Sequence, residues 1–238
     1  MPHMPSIFPK GVYAILDFDR VKPALPDDEV GEAEYLLRYI NDATKAGAVA
    51  VQFRAKSVPG HSLWLPKLIG QLRAGMDASV PLILNDHVAA LAPIADRAGL
   101  GVHLGQDDAT AQHGRSRLGD DALIGCSTHN AAQVATAQST PANYLGFGPI
   151  CTTGTKSDAS PTVGFKALAG AVAQSGKPIV AIGGIGLAQI PKVVSSGAHA
   201  AAVISAWLGD EGAPNGPNFA RMAMQELVAA WRKAKRDA

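Results

Sequence analysis

Gly101-Val-His-Leu-Gly-Gln-Asp-Asp108 opens as a short apolar run and ends in two acids. Such a run reads as a strand buried on both faces, the kind found in parallel sheets. Acids placed where a buried strand surfaces have two readings. They cap the next helix, as Asp often does, or they hold a hard cation. A second run, Pro81-Leu-Ile-Leu84, surfaces the same way into Asn85-Asp86. If the two strands are parallel neighbours, Asp86 and Asp108 come to one rim, within reach of one Mg²⁺. That ion suits few protein oxygens, because it keeps waters and shares itself with substrate phosphate.

Outward from this pair the same alternation of strand and helix continues. Gly11 to Asp17 reads as a first strand, followed by a proline-containing acidic loop from Asp19 to Gly31 and a helix from Glu32 to Ala46. Ala48 to Lys56 is a second strand, with Gln52, Arg54 and Lys56 on one side of it by period two. Helices are expected at 62–76, 87–97, 111–118, 130–138, 164–175 and 187–196. Further strands are expected at 122–129, 144–150, 177–182 and 200–205, and a hinge at 209–217 leads into a last amphipathic helix. Eight strand-helix units with continuously apolar strands imply parallel strands joined by right-handed crossovers. In 238 residues, near the ~250 usual for the architecture, the natural closure is a (β/α)₈ TIM barrel, one α/β domain over residues 1–238. A doubly wound open sheet is the rival. Residues 1–10, with three prolines, read as an irregular extension.

Composition narrows the function classes. Apolar residues make up 47% and charged residues 17%, the profile of a globular chain. A net charge of +1 gives no general attraction to nucleic acid or an anionic membrane. Cys126 and Cys151 form no disulfide framework. No signal peptide or run of ~20 apolar residues is visible, so a cytoplasmic location is expected.

In a (β/α)₈ barrel the chemistry gathers where strands end. The rim so predicted holds Gln52, Arg54, Lys56, Asn85, Asp86, His103, Gln106, Asp108, Ser127 and His129. It continues through Thr152 to Lys156, Gly183, Gly184, Gly186, Ile204 and Ser205. Cations, hydroxyls and glycines with two carboxylates among them describe a site for phosphates plus a metal. Each has a plainer reading: strand-end charges in water for Arg54 and Lys56, turn residues for the glycines, a cap or core histidine for His129. The segment Cys151 to Val163, long and without evident secondary structure, reads as a functional lid.

With these stretches the chain resembles the thiamine phosphate synthase family. The resemblance rests on Val51-Gln-Phe-Arg-Ala-Lys56, Leu84-Asn-Asp86, Gly101 to Asp108, Gly125-Cys-Ser-Thr-His129 and Gly146-Phe-Gly-Pro-Ile150. Thr153-Gly-Thr-Lys156, Ile182-Gly-Gly-Ile185 and Val203-Ile-Ser205 complete it, in order from the second strand to the eighth. It implies a barrel that joins a hydroxymethylpyrimidine diphosphate to a thiazole phosphate, releasing diphosphate and making thiamine phosphate. It implies Mg²⁺ on Asp86 and Asp108. Diphosphate would lie on Arg54, Lys56, Asn85 and Lys156, and the pyrimidine near Gln52 and Ser127, with His103 a further substrate-binding residue. The thiazole would lie on Thr153 and Thr155, its phosphate on backbone at Gly184, Ile204 and Ser205. Arg54, Ser127 and Lys156 would be the catalytic set, with catalysis largely electrostatic and positional. The chain departs from the family pattern at Cys151-Thr152, where Phe-Pro or Tyr-Pro is common, and at Gly186, where Thr or Asn is usual. A thiazole tautomerase of the same fold and a non-catalytic thiamine-phosphate binder are the rival functions. Homo-oligomerisation stays open.

Overall fold

Strand β1, Gly11–Asp17, is buried at every residue, and its alternate side chains go to two different cores. Val12, Ala14 and Leu16 face outward into the layer shared with the helices. Tyr13 and Ile15 face the barrel interior with Ala50, Ile83, Tyr144, Val180, Ala200 and Ala202. Burial on both faces is why these strands lack the polar alternation of a half-exposed sheet. The computed structural model describes residues 8–152, 161–210 and 213–237.

The remaining barrel strands are β2 (Ala50–Arg54), β3 (Leu82–Asn85), β4 (Leu100–Leu104), β5 (Leu123–Thr128), β6 (Tyr144–Phe147), β7 (Ile179–Ala181) and β8 (Ala200–Val203). They close in sequence order, β8 pairing with β1, and every pairing is parallel. The closed (β/α)₈ barrel is therefore the architecture, and the open doubly wound sheet is excluded. The outer ring holds α1 (Glu29–Ala46), α2 (Trp64–Gly75), α3 (Val88–Leu91), α4 (Ala111–Leu118), α5 (Ala131–Ala137), α6 (Gly164–Gln174), α7 (Ile190–Ser195) and α8 (Pro217–Arg236). Helix α8 lays Ala220, Met224, Leu227, Val228 and Trp231 inward, the i, i+4, i+7 spacing of one apolar stripe.

Two helix expectations and one loop expectation need correction. Helix α1 starts at Glu29 rather than Glu32, because Asp28 caps it by accepting from the Gly31 N–H at 2.8 Å. The stretch before it is not one loop but carries one-turn helices at Phe18–Val21 and Lys22–Ala24. The helix expected over 87–97 shrinks to the single turn α3 and a 3₁₀ turn at Ala92–Ile94. Pro93 explains that break, having no N–H to continue the ladder.

Phe8, on the irregular lead-in to β1, is 1% exposed. Its ring lies 4.2 Å from that of Tyr144 and 5.1 Å from that of Tyr13. It fills the end of the barrel where the strands begin. Cys126 and Cys151 are free thiols. No helix among the described residues is long and apolar enough to cross a membrane.

Candidate active site

The strand ends enclose a cavity of about 470 Å³, and every described residue of the predicted rim set except Thr152 and Gly186 lines it. Parallel pairing makes this so: Asn85 sits opposite His103, and Ser127 opposite Gly146. The expected residues on the 151–163 segment are different. Thr153, Thr155 and Lys156 lie outside the described residues, and with them the lid expectation. The two ends of that segment are anchored at the rim, by Cys151 N–H to Gly183 O at 3.1 Å and Val163 N–H to Pro149 O at 2.9 Å.

One wall of the cavity carries the charges. Lys56 donates to Asp86 Oδ2, and the Gly105 N–H donates to Asp108 Oδ2 at 2.7 Å. Burial and the neighbouring Asp108 carboxyl push Asp86 above the usual carboxylate range, against the pull of Lys56. Burial also pushes Asp108 up, but hydrogen bonds from Asp86 and Gly105, with the Lys56 charge, outweigh it and leave that carboxyl below the usual range. Two carboxyls this close resist joint ionisation unless a cation joins them. Asp86 also holds φ at +67°, a left-handed backbone conformation tolerated by Asp and Asn but uncommon outside glycine. Among the described residues no group of three or more His, Cys, Asp or Glu side chains is placed to hold a metal ion. The donor set is thus two hard oxygens beside cationic groups, which fits Mg²⁺ completed by phosphate and water rather than a zinc cage. Arg54 donates from Nη1 to Asp17 at 2.6 Å, while its buried Nε has no hydrogen-bond partner among the described residues.

A deeper wall joins residues of the predicted rim to polar groups outside it. Gln52 Nε2 donates to the Tyr13 hydroxyl at 2.9 Å, and Tyr13 and Tyr144 share a hydrogen bond at 3.2 Å. His103 bridges from Tyr144 at Nδ1, 3.0 Å, to Ser127 Oγ at Nε2, 2.9 Å. Tyr13 and Asp17 are absent from the predicted rim, although the period-two parity that marks β2 applies to β1 as well. Extended to β1, it puts Tyr13 and Asp17 on one face with Ile15. Nothing local marks Tyr144 or Phe8. His129 also lines the cavity; its Nδ1–H donates to Gly148 O at 2.6 Å, and its backbone N–H donates to Gln133 Oε1 at 2.6 Å.

The opposite rim is backbone. Gly183 and Gly184 follow β7, and Ile204 and Ser205 follow β8. Gly184 has φ +67°, and a Cβ there would come within 2.6 Å of Thr152 O and 2.7 Å of Cys151 O. Only a residue without a side chain lets those two loops touch.

The barrel thus combines a carboxylate pair with cations on one wall and a glycine-rich backbone rim on the other. A model of the thiamine monophosphate synthase family matches residues 25–207. The chain belongs to that family. A thiamine-phosphate synthase from Xanthobacter autotrophicus is 35% identical over 220 residues, covering 90% of this chain and 98% of the relative. One from Roseiflexus is 37% identical over 194 residues, 80% of this chain and 78% of the relative. The solved thiamine phosphate pyrophosphorylase from Pyrococcus furiosus superposes with a TM-score of 0.74 at 26% identity, covering 96% of this chain and 98% of its own. The thiamine monophosphate synthase match takes in β2 to β8 and the acid pair; β1, with Tyr13 and Asp17, and α8 fall outside it.

Proposed function

We propose that this protein is a Mg²⁺-dependent transferase that condenses 4-amino-2-methyl-5-hydroxymethylpyrimidine diphosphate with thiazole phosphate, giving thiamine phosphate and diphosphate. The observation that carries the reading is the acid pair with Lys56 and Arg54 on one wall of a cavity whose other rim is glycine backbone.

Asp86 and Asp108 would hold Mg²⁺, which when bound neutralises charge on the diphosphate. Arg54, Lys56 and Asn85 bind the diphosphate oxygens, and Lys156 is assigned the same task. As the C–O bond to the pyrimidine methylene breaks, its electron pair leaves with the diphosphate, and these donors stabilise charge they already face. The thiazole nitrogen then gives its lone pair to the methylene carbon, forming the C–N bond. Gln52, His103 and Ser127 orient the pyrimidine, while Thr153, Thr155 and backbone at Gly184, Ile204 and Ser205 orient the thiazole phosphate. Nothing in this sequence needs a nucleophile-base pair, so the side chains act by position and charge.

A thiazole tautomerase or a passive thiamine-phosphate binder has no use for the carboxylate pair, and neither is favoured. The proposal includes a cytoplasmic location. Purified protein given both substrates, with and without Mg²⁺, should release thiamine phosphate and diphosphate in equal amounts only with the metal. No product in Mg²⁺, or undiminished product after chelation, would overturn it.

A further inference from the structure

The chain of hydroxyls beneath the cavity has a direction, and the direction follows from counting protons. Tyr13 is 1% exposed and Tyr144 fully buried, and burial holds both phenols far above their ordinary pKa, so each carries its hydrogen. Gln52 Nε2 can only donate, so Tyr13 Oη accepts from it at 2.9 Å. The Tyr13 hydrogen then has Tyr144 Oη, 3.2 Å away, as its acceptor. Were Tyr144 to donate to Tyr13 instead, the Tyr13 hydrogen would be a buried donor without an acceptor, at about 1–3 kcal/mol. Having accepted from Tyr13, Tyr144 sends its own hydrogen to His103 Nδ1 at 3.0 Å. A neutral imidazole that accepts at one nitrogen donates at the other, so Nε2–H points at Ser127 Oγ, 2.9 Å away.

We propose that Tyr144, oriented by Tyr13, is a positioning residue: it locks His103 in the Nε2–H tautomer and so turns the Ser127 hydroxyl hydrogen into the cavity. Ser127 thereby becomes a donor toward a ring-nitrogen acceptor. This deepens the proposed function, on which the identity of that acceptor as a pyrimidine nitrogen rests. Gly125 supplies a second observation. A Cβ at that position would lie 2.1 Å from Tyr144 Cζ and 2.6 Å from His103 Nδ1. The glycine on β5 is what allows the phenol and the imidazole to meet.

The test has a spectroscopic arm and a kinetic arm. In protein carrying ¹⁵N-histidine, with His103 assigned by its loss in His103→Gln, Nε2 should be the protonated nitrogen and Nδ1 the bare one. Tyr144→Phe and, independently, Gly125→Ala should abolish that preference. Tyr144→Phe should also lower kcat/KM for the pyrimidine diphosphate about 10–100-fold, the range for removing a group that orients a ligand-binding side chain. The KM for thiazole phosphate should stay within about twofold, and in a Ser127→Ala background the added loss should shrink to about twofold or less, since the two residues act as one unit. A wild-type His103 protonated at Nδ1 or at both nitrogens overturns the proposal. So does a Tyr144→Phe loss of equal size with and without Ser127, which would mean packing alone. If Tyr144→Phe does not fold, the wild-type tautomer and Gly125→Ala still decide. A wild-type enzyme that makes no thiamine phosphate defeats the proposed function and leaves the tautomer measurement standing.

Discussion

Asp86 and Asp108 lie close enough to shift each other's protonation. Asp86→Asn is the sharper probe of the pair, because Asn tolerates the left-handed backbone at φ +67° where Ala would add strain. Asp86→Asn and Asp108→Asn should each slow turnover about a hundredfold or more, while thermal unfolding moves little, since both residues stand at the rim rather than in the packed core. Near-normal Mg²⁺-dependent turnover in either would remove that residue from the metal site. Cys126 makes a different kind of test. Burial pushes its thiol up to about 11, so at pH 8 only about one molecule in a thousand carries the reactive thiolate there. Mass-resolved alkylation at pH 8 should leave Cys126 largely unmodified over times that exhaust a small free thiol, and speed up as the pH is raised toward 11. Rapid labelling at pH 8 would contradict that burial.

At the level of single elements, β7 and the turn after it decide how the phosphate rim is built. Gly183 and Gly184 have φ of +84° and +67°, and the Cys151 and Thr152 carbonyls crowd the place a Gly184 side chain would take. Gly184→Ala therefore has to push the β6 loop away from the β7 loop, and the obstacle is backbone, which cannot simply rotate aside. The expected result is a KM for thiazole phosphate raised about tenfold or more with the pyrimidine diphosphate KM less affected, read by varying each substrate in turn. An equal rise in both would place the phosphate elsewhere. Helix boundaries were less legible than strands at this scale. Asp28 as the cap of α1 and Pro93 as the breaker in 87–97 are both visible in the chain, but hydrophobic spacing by itself carries neither signal.

The whole barrel has a floor as well as a mouth. Phe8 reaches in where the strands begin and packs against both tyrosines of the buried chain. Phe8→Ala should cost about 3 kcal/mol of stability, the range for emptying a buried aromatic site, measured by urea unfolding. Some loss of turnover should accompany it, because Tyr13 and Tyr144 lose the surface that holds them. A change below about 0.5 kcal/mol, the size typical of a surface substitution, would mean that this part of the chain contributes no plug.

The sequence by itself determined the number, type and order of the barrel elements, because burial on both faces makes each strand an apolar run and each helix needs its own stripe. It also marked the acid pair and Gln52, Arg54 and Lys56, since charges and amides at the ends of apolar runs stand out locally. Only the tertiary structure decided that Asp17 pairs with Arg54 and that Tyr13, Tyr144, His103 and Ser127 form one hydrogen-bonded chain. It alone seated Phe8 beneath them. Those contacts join residues far apart in the chain, 131 positions for Tyr13 and Tyr144. Tyrosine in an apolar strand reads locally as packing, and closure of β8 onto β1 is what turns such side chains toward one another.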